Sequence, residues 1–126
     1  MTFAGTIVHG SKHGRTIGYP TLNLAVTDAV KAALAKYGVY AVAATLGGRE
    51  YAGALFWGIR SLFAETEPVC EISLLDFGGD AYGEEVVVAV LAYIRPAVAV
   101  TDKGQLKQLI KKDIQDTQKT YDLSRS

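Results

Sequence analysis

The chain has 126 residues and a mass of 13.5 kDa, and its 13 Lys and Arg balance 13 Asp and Glu, so no overall field draws it to nucleic acid or anionic lipid and any affinity for phosphate has to be local. The single cysteine, Cys70, excludes an internal disulfide and a multi-cysteine zinc site and suits a reducing compartment, which makes a cytoplasmic location the expectation. The start, MTFAGTIVHG, lacks a charged lead into a long apolar segment, and the longest apolar run, Val86 to Ile94, is too short to span a bilayer; one domain over residues 1–126 is expected, with neither export nor membrane insertion.

Phe3 to Val8 predicts a first strand, β-branched in its second half and ended by Gly10. The stretch GSKHGRTIGYPTLN, Gly10 to Asn23, then places Gly10, Gly14 and Gly18 at four-residue intervals among Lys12, His13 and Arg15, so that backbone N–H groups and cations can converge on a volume suited to phosphate. Three glycines with basic neighbours are more often an ordinary surface loop. The spacing is also not that of a Walker A loop, which needs four residues between its glycines followed by Lys-Ser/Thr, nor that of Gly-x-Gly-x-x-Gly. Pro20 stiffens the turn that follows. Thr21 and Asn23, two residues apart in an extended segment, project from one side and offer neutral oxygens of the kind Mg²⁺ accepts beside nucleotide phosphates. His9 and His13 have the separation of a metal pair, but that pairing needs a helix, and Gly10 and Gly14 argue against one.

Residues 20–26 predict a second short extended piece, and Thr27 to Lys36 a short helix with Val30, Ala33, Leu34 and Tyr37 at helical spacing. Gly38 to Leu46 and Arg49 to Trp57 read as a hairpin closed by Gly47-Gly48. Trp57, Tyr51 and Phe56 in a strand suit a core better than a base-stacking platform. Gly58 to Glu67 is an irregular connection, Pro68 precedes a strand from Val69 to Phe77, Gly78-Gly79-Asp80 is a turn, and Glu84 to Ile94 is a long strand whose continuous apolar centre predicts burial on both faces. After Arg95-Pro96, Asp102 and Gln105 resemble a capping pair. Leu106, Leu109, Ile110 and Ile114 then mark an amphipathic terminal helix, with Lys and Asp on its opposite face and its apolar stripe covering one side or end of the sheet. Six strands with tight turns predict an all-β barrel or sandwich with a C-terminal helix.

Glu71 stands out in this pattern. Alternation groups it with Val69, Ser73, Leu75 and Phe77, while Cys70, Ile72 and Leu74 face the other way. A carboxylate among apolar neighbours is costly unless it is near solvent or paired. Lining a pocket, partly desolvated, it would be suited to accepting a proton; at a barrel rim, or bridged to Arg60 or Arg95, it would be structural. The residues alone weigh these readings about evenly.

Several segments in order resemble the riboflavin kinase family. They are G-T-I-V-H-G at Gly5 to Gly10, G-R-T-I-G-Y-P-T-L-N at Gly14 to Asn23, G-V-Y-A-V at Gly38 to Val42, C-E-I-S-L-L-D-F at Cys70 to Phe77, G-D-A-Y-G at Gly79 to Gly83, and Y-I-R-P at Tyr93 to Pro96. The resemblance implies a six-stranded antiparallel Greek-key barrel with a C-terminal helix, and it makes residues 24–37 a lid-like connection, in competition with the helix that propensity predicts. It implies transfer of the γ-phosphoryl of ATP to the ribityl 5′-hydroxyl of riboflavin, giving FMN. The glycine-rich segment with Gly10, Gly14, Arg15 and Gly18 would hold the ATP phosphates, Thr21 and Asn23 would lie at the nucleotide and ligate Mg²⁺, Glu71 would be the general base, and Arg95 would lie near the flavin or the transferring phosphate. Riboflavin/FMN and ATP/ADP are the implied ligands of a monomer without nucleic-acid or membrane partners or a tightly bound prosthetic group. Many bacterial relatives carry an adenylyltransferase domain ahead of the kinase barrel; this chain starts at the barrel, and FAD synthesis is expected to be absent. Leu22 replaces an alanine of the family pattern, Ile59 to Phe63 stands for T-R-P-T-F, Ser73 for a frequent histidine and Val100 for a frequent aromatic. These departures keep open a flavin- or nucleotide-binding module with little turnover as the alternative.

Overall fold

A computed structural model describes residues 1–9, 21–60, 66–79 and 81–126. Six strands, β1 (Thr2–Val8), β2 (Leu22–Leu24), β3 (Gly38–Leu46), β4 (Arg49–Gly58), β5 (Val69–Leu74) and β6 (Glu85–Pro96), close a barrel in the order β1-β2-β5-β4-β3-β6. Every neighbouring pair is antiparallel. Among the described residues the strands are joined by two helices, α1 (Asp28–Ala33) and α2 (Lys103–Ser124). The expected antiparallel barrel with a terminal helix is the fold observed, and neither helix is long and apolar enough to cross a membrane.

Local chemistry explains most of the elements. Gly47 and Gly48 have φ of 60° and 81°, the left-handed pair a two-residue hairpin turn requires, and they set Leu46 opposite Arg49. At the other end of β3, a Cβ on Gly38 would run into the Arg95 carbonyl and the Tyr93 ring, so the close approach of β3 to β6 there depends on glycine. The Thr27 hydroxyl accepts from the Val30 amide at 3.3 Å and starts α1, whose Val30, followed by Leu34, closes over the barrel core. The propensity-based helix therefore forms, shorter than Thr27 to Lys36 and leaving Tyr37 outside it. Asp102 accepts from the Gln105 amide at 2.8 Å, while the Gln105 side chain reaches back to the Thr101 amide at 3.0 Å, one residue beyond the usual capping box.

Three expectations are corrected. β5 ends at Leu74, not Phe77, because the chain turns at Leu75-Asp76 with Asp76 at φ 61°. The doubly buried strand is β3, not β6: Val87 of β6 is 40% exposed, whereas the outward Ala41 and Ala43 of β3 are covered. That cover is α2, which lies across the outer surface of β3 and β4, an area of alanines (Ala41, Ala43, Ala52, Ala54) flat enough for a helix backbone to come close. Last, the acids of α2 do not all face solvent. Asp113 lies in the buried stripe with Leu106, Ile110 and Thr117.

Candidate active site

The candidate site stands on one row of cross-strand partners. Asn23 of β2 is opposite Glu71 of β5, Glu71 is opposite Phe56 of β4, Phe56 is opposite Val39 of β3, and Val39 is opposite Arg95 of β6. Directly paired residues share a face of the sheet, so all five project from the outside of the barrel. The intervening positions point inward, where Cys70, Ile72 and Leu55 sit in the core.

Glu71 is 9% exposed and held at both carboxylate oxygens. Thr21 donates its hydroxyl to Oε2 at 3.2 Å, and Arg60 Nε lies 3.6 Å from Oε1. The Arg60 guanidinium carbon in turn sits 3.6 Å from the centre of the Phe56 ring. Burial draws Arg60 below the ordinary arginine value, and the charge of Glu71 opposes that shift. One cleft beside this group is lined by Thr21, Phe56, Arg60, Glu71 and Ser73, with Ile110 and Asp113 of α2 as its far wall. A second is lined by Phe56, Ile59, Arg60, Arg95, Val98 and Val100, with Leu106 and Leu109 of α2. Phe56 and Arg60 form the partition between them. Behind the wall, burial pushes the Cys70 thiol up to about 12, with the negative charge of Glu71 adding to the effect, so this cysteine is inert packing.

The two readings of Glu71 left open by the sequence both describe it, since it lines a cleft and is also ion-paired. Its partner is Arg60; Arg95 is engaged elsewhere. Three inter-strand steps separate Arg95 from Glu71, roughly 14 Å along the sheet. Arg95 Nε and Nη2 donate to the two oxygens of Asp113 at 2.7 and 2.8 Å, and Nη1 donates to the Pro96 carbonyl at 3.1 Å. It thereby ties β6 to α2 and edges the second cleft. Thr21 and Asn23 meet Glu71 from β2 and the residue before it. Gly10, Gly14, Arg15 and Gly18 lie outside the described residues, as does His13. His9 is stacked on Tyr82 with ring centres 3.6 Å apart.

Sequence reasoning passed over Asp113 and grouped Phe56 with Trp57 and Tyr51 as core, whereas Phe56 lies on the outer face and lines both clefts. Phe56 follows the core residue Leu55, so strand alternation alone puts it on the opposite face, but its place beside Glu71 depends on the β4–β5 register. Asp113 was legible in principle, because 106, 110, 113 and 117 keep helical spacing and place it within the apolar stripe.

Among the described residues no three His, Cys, Asp or Glu converge as a metal cage. Thr21 and Asn23 beside one carboxylate make a different kind of donor set, neutral oxygens next to a single charge. That set fits Mg²⁺ arriving on nucleotide phosphates, which keeps most of its ligands from phosphate and water.

A flavokinase family model, described as riboflavin kinase, matches residues 1–121. A bifunctional riboflavin kinase/FMN adenylyltransferase of Listeria monocytogenes is 35% identical over 117 residues, covering 92% of this chain and 37% of that protein. Among solved structures, one described as a macrolide-efflux protein from Streptococcus pneumoniae matches with a TM-score of 0.77 at 33% identity, covering 93% of this chain and 38% of the other. A riboflavin kinase from Trypanosoma brucei matches with a TM-score of 0.65 at 28% identity, covering 94% of this chain and 77% of the other. The chain thus spans little more than a third of the length of the bacterial bifunctional relative. Since the family match runs from the first residue almost to the end of α2, this chain belongs to the riboflavin kinase family.

Proposed function

We propose that the chain transfers the γ-phosphoryl group of ATP to the ribityl 5′-hydroxyl of riboflavin, yielding FMN and ADP. The observation that carries this reading is the meeting of Thr21, Asn23 and Glu71 on one face of the barrel, from segments far apart in the chain. Phosphoryl transfer through a loose transition state asks the protein mainly to align the acceptor and neutralise charge on the moving group. Glu71 accepts the acceptor's proton as the new bond to phosphorus forms, when the alcohol has become acidic enough for a carboxylate. Thr21 donates its hydrogen to Glu71 Oε2, which leaves its oxygen lone pairs turned away from the carboxylate. Those lone pairs, with the Asn23 side-chain carbonyl, would hold Mg²⁺, which when bound supplies positive charge to the nucleotide phosphates. Gly10, Gly14, Arg15 and Gly18 bind those phosphates. The cleft of Ile59, Val98, Val100 and Leu106 takes the apolar ring system of the flavin, with Arg95 at its edge.

The test is direct. Purified chain incubated with riboflavin, ATP and Mg²⁺ forms FMN, resolved by chromatography, and omission of Mg²⁺ abolishes the product. Riboflavin retained by the protein with no FMN would overturn the proposal in favour of a binding module.

A further inference from the structure

Glutamate has a flexible side chain, and a general base has to present one oxygen at one place. Nothing in β5 itself supplies that order, since the strand sets only the face from which Glu71 leaves. The order comes from across the sheet. Oε1 lies 3.6 Å from Arg60 Nε, and Oε2 accepts the Thr21 hydroxyl at 3.2 Å, so the two oxygens have different surroundings. Arg60 is itself confined: its side chain is 12% exposed and its guanidinium rests on the Phe56 ring. It is also attracted by Asp113 and repelled by Arg95, whose mutual pair fixes α2 beside it. The guanidinium therefore cannot swing out to solvent without leaving its aromatic platform and stranding Glu71 with an unpaired buried charge.

The geometry points to Arg60 as a positioning residue for Glu71: it anchors Oε1, and Oε2, on the Thr21 side, is the oxygen that takes the proton from the acceptor alcohol. This rests on the kinase reading and adds to it an arginine that works through the carboxylate and not on the phosphate. Arg60 also lines both clefts.

The inference is tested with a double-mutant cycle on the whole chain, reading initial rates of FMN formation at saturating ATP, Mg²⁺ and riboflavin. Arg60→Gln should lower kcat about 10²-fold, the usual cost of a reacting group displaced by an ångström, while the KM for ATP stays near wild type. In a Glu71→Gln background the same change should cost little more, because the group being positioned is gone. If the two losses multiply, Arg60 acts independently of Glu71 and the inference is overturned. It is equally overturned if Arg60→Gln lowers the melting temperature and leaves kcat intact. Arg60→Lys keeps the cation but not the fork, and it serves for the same cycle should the glutamine variant fail to fold. Wild-type chain that forms no FMN defeats the kinase reading itself, an outcome separate from multiplying losses in an active enzyme.

Discussion

Where α2 covers it, the barrel wall is buried on both sides, and the two sides are made differently. Inside, Tyr40, Val42 and Leu46 of β3 interlock with Leu55, Ile72, Val86 and Val88, large branched or aromatic groups that fill volume. Outside, under α2, Ala41, Ala43, Ala52 and Ala54 present little more than methyl groups, and the space between them and the helix admits polar side chains. Among the described residues the buried polar or charged groups are Glu71, Asp113 and Thr117, and all three belong to this outer layer. The difference has a physical basis. A closed interior offers a charge no partner and no water, whereas the seam beneath a docked helix is open at its edges and bordered by arginines from two strand ends. Folding energy is concentrated in one layer and reactive groups in the other, so changes to each should be separable.

The sharpest test of that separation is Glu71→Gln. It should reduce kcat by roughly 10² to 10⁴-fold, the usual worth of a general base, with ATP binding little altered. A rate near wild type would remove proton transfer from the outer layer. The inner counterpart is Leu55→Ala, at a fully buried position. Urea titration should show a loss of about 2–5 kcal/mol of stability, with the rate per folded molecule kept; a specific loss of kcat would mean that the two layers are coupled.

Smaller effects probe the seam itself. The Thr117 hydroxyl is buried without a hydrogen-bond partner among the described residues, so Thr117→Val, nearly the same shape, should raise stability by about 1 kcal/mol in the same titration. Destabilisation would show that the hydroxyl is satisfied in solution. Smallest of all is Glu50→Gln at the exposed end of the seam, where Arg125 Nη2 donates at 2.6 Å and Tyr121 at 2.7 Å to Glu50 Oε1. Arg125 first, then Tyr121, hold the Glu50 carboxyl below its ordinary 4.5. A carboxyl depressed in the folded state stabilises fully above its ordinary value, and that contribution disappears as pH falls through the lower folded value. The gap in melting temperature between wild type and Glu50→Gln should therefore be small at neutral pH, because solvent and salt screen the pair, and should close on acidification below the ordinary glutamate range. A gap that widens in acid would contradict this sign.

By itself the sequence determined what depends on a residue and its close neighbours. The Gly47-Gly48 turn, the short helix after β2, the Asp102 cap, the stripe of Leu106 and Ile110, and the placing of Glu71 opposite in direction to Cys70 and Ile72 all follow from propensity or from periods of 2 and 3.6 residues, and the family motifs add the expected barrel. Tertiary structure alone decided what alternation leaves open, which is the neighbour a side chain meets. Thr21 and Glu71 lie 50 residues apart and touch because β2 pairs with β5. Arg60, not Arg95, reaches Glu71 because β4 adjoins β5 while β6 lies on the far side of β3. The early end of β5 at Leu74, the double burial of β3 and the commitment of Asp113 to Arg95 likewise come from barrel closure and from where α2 docks. A period in the chain names the side from which a group projects, and only the packing of distant segments supplies the partner that turns a buried charge from a penalty into a site.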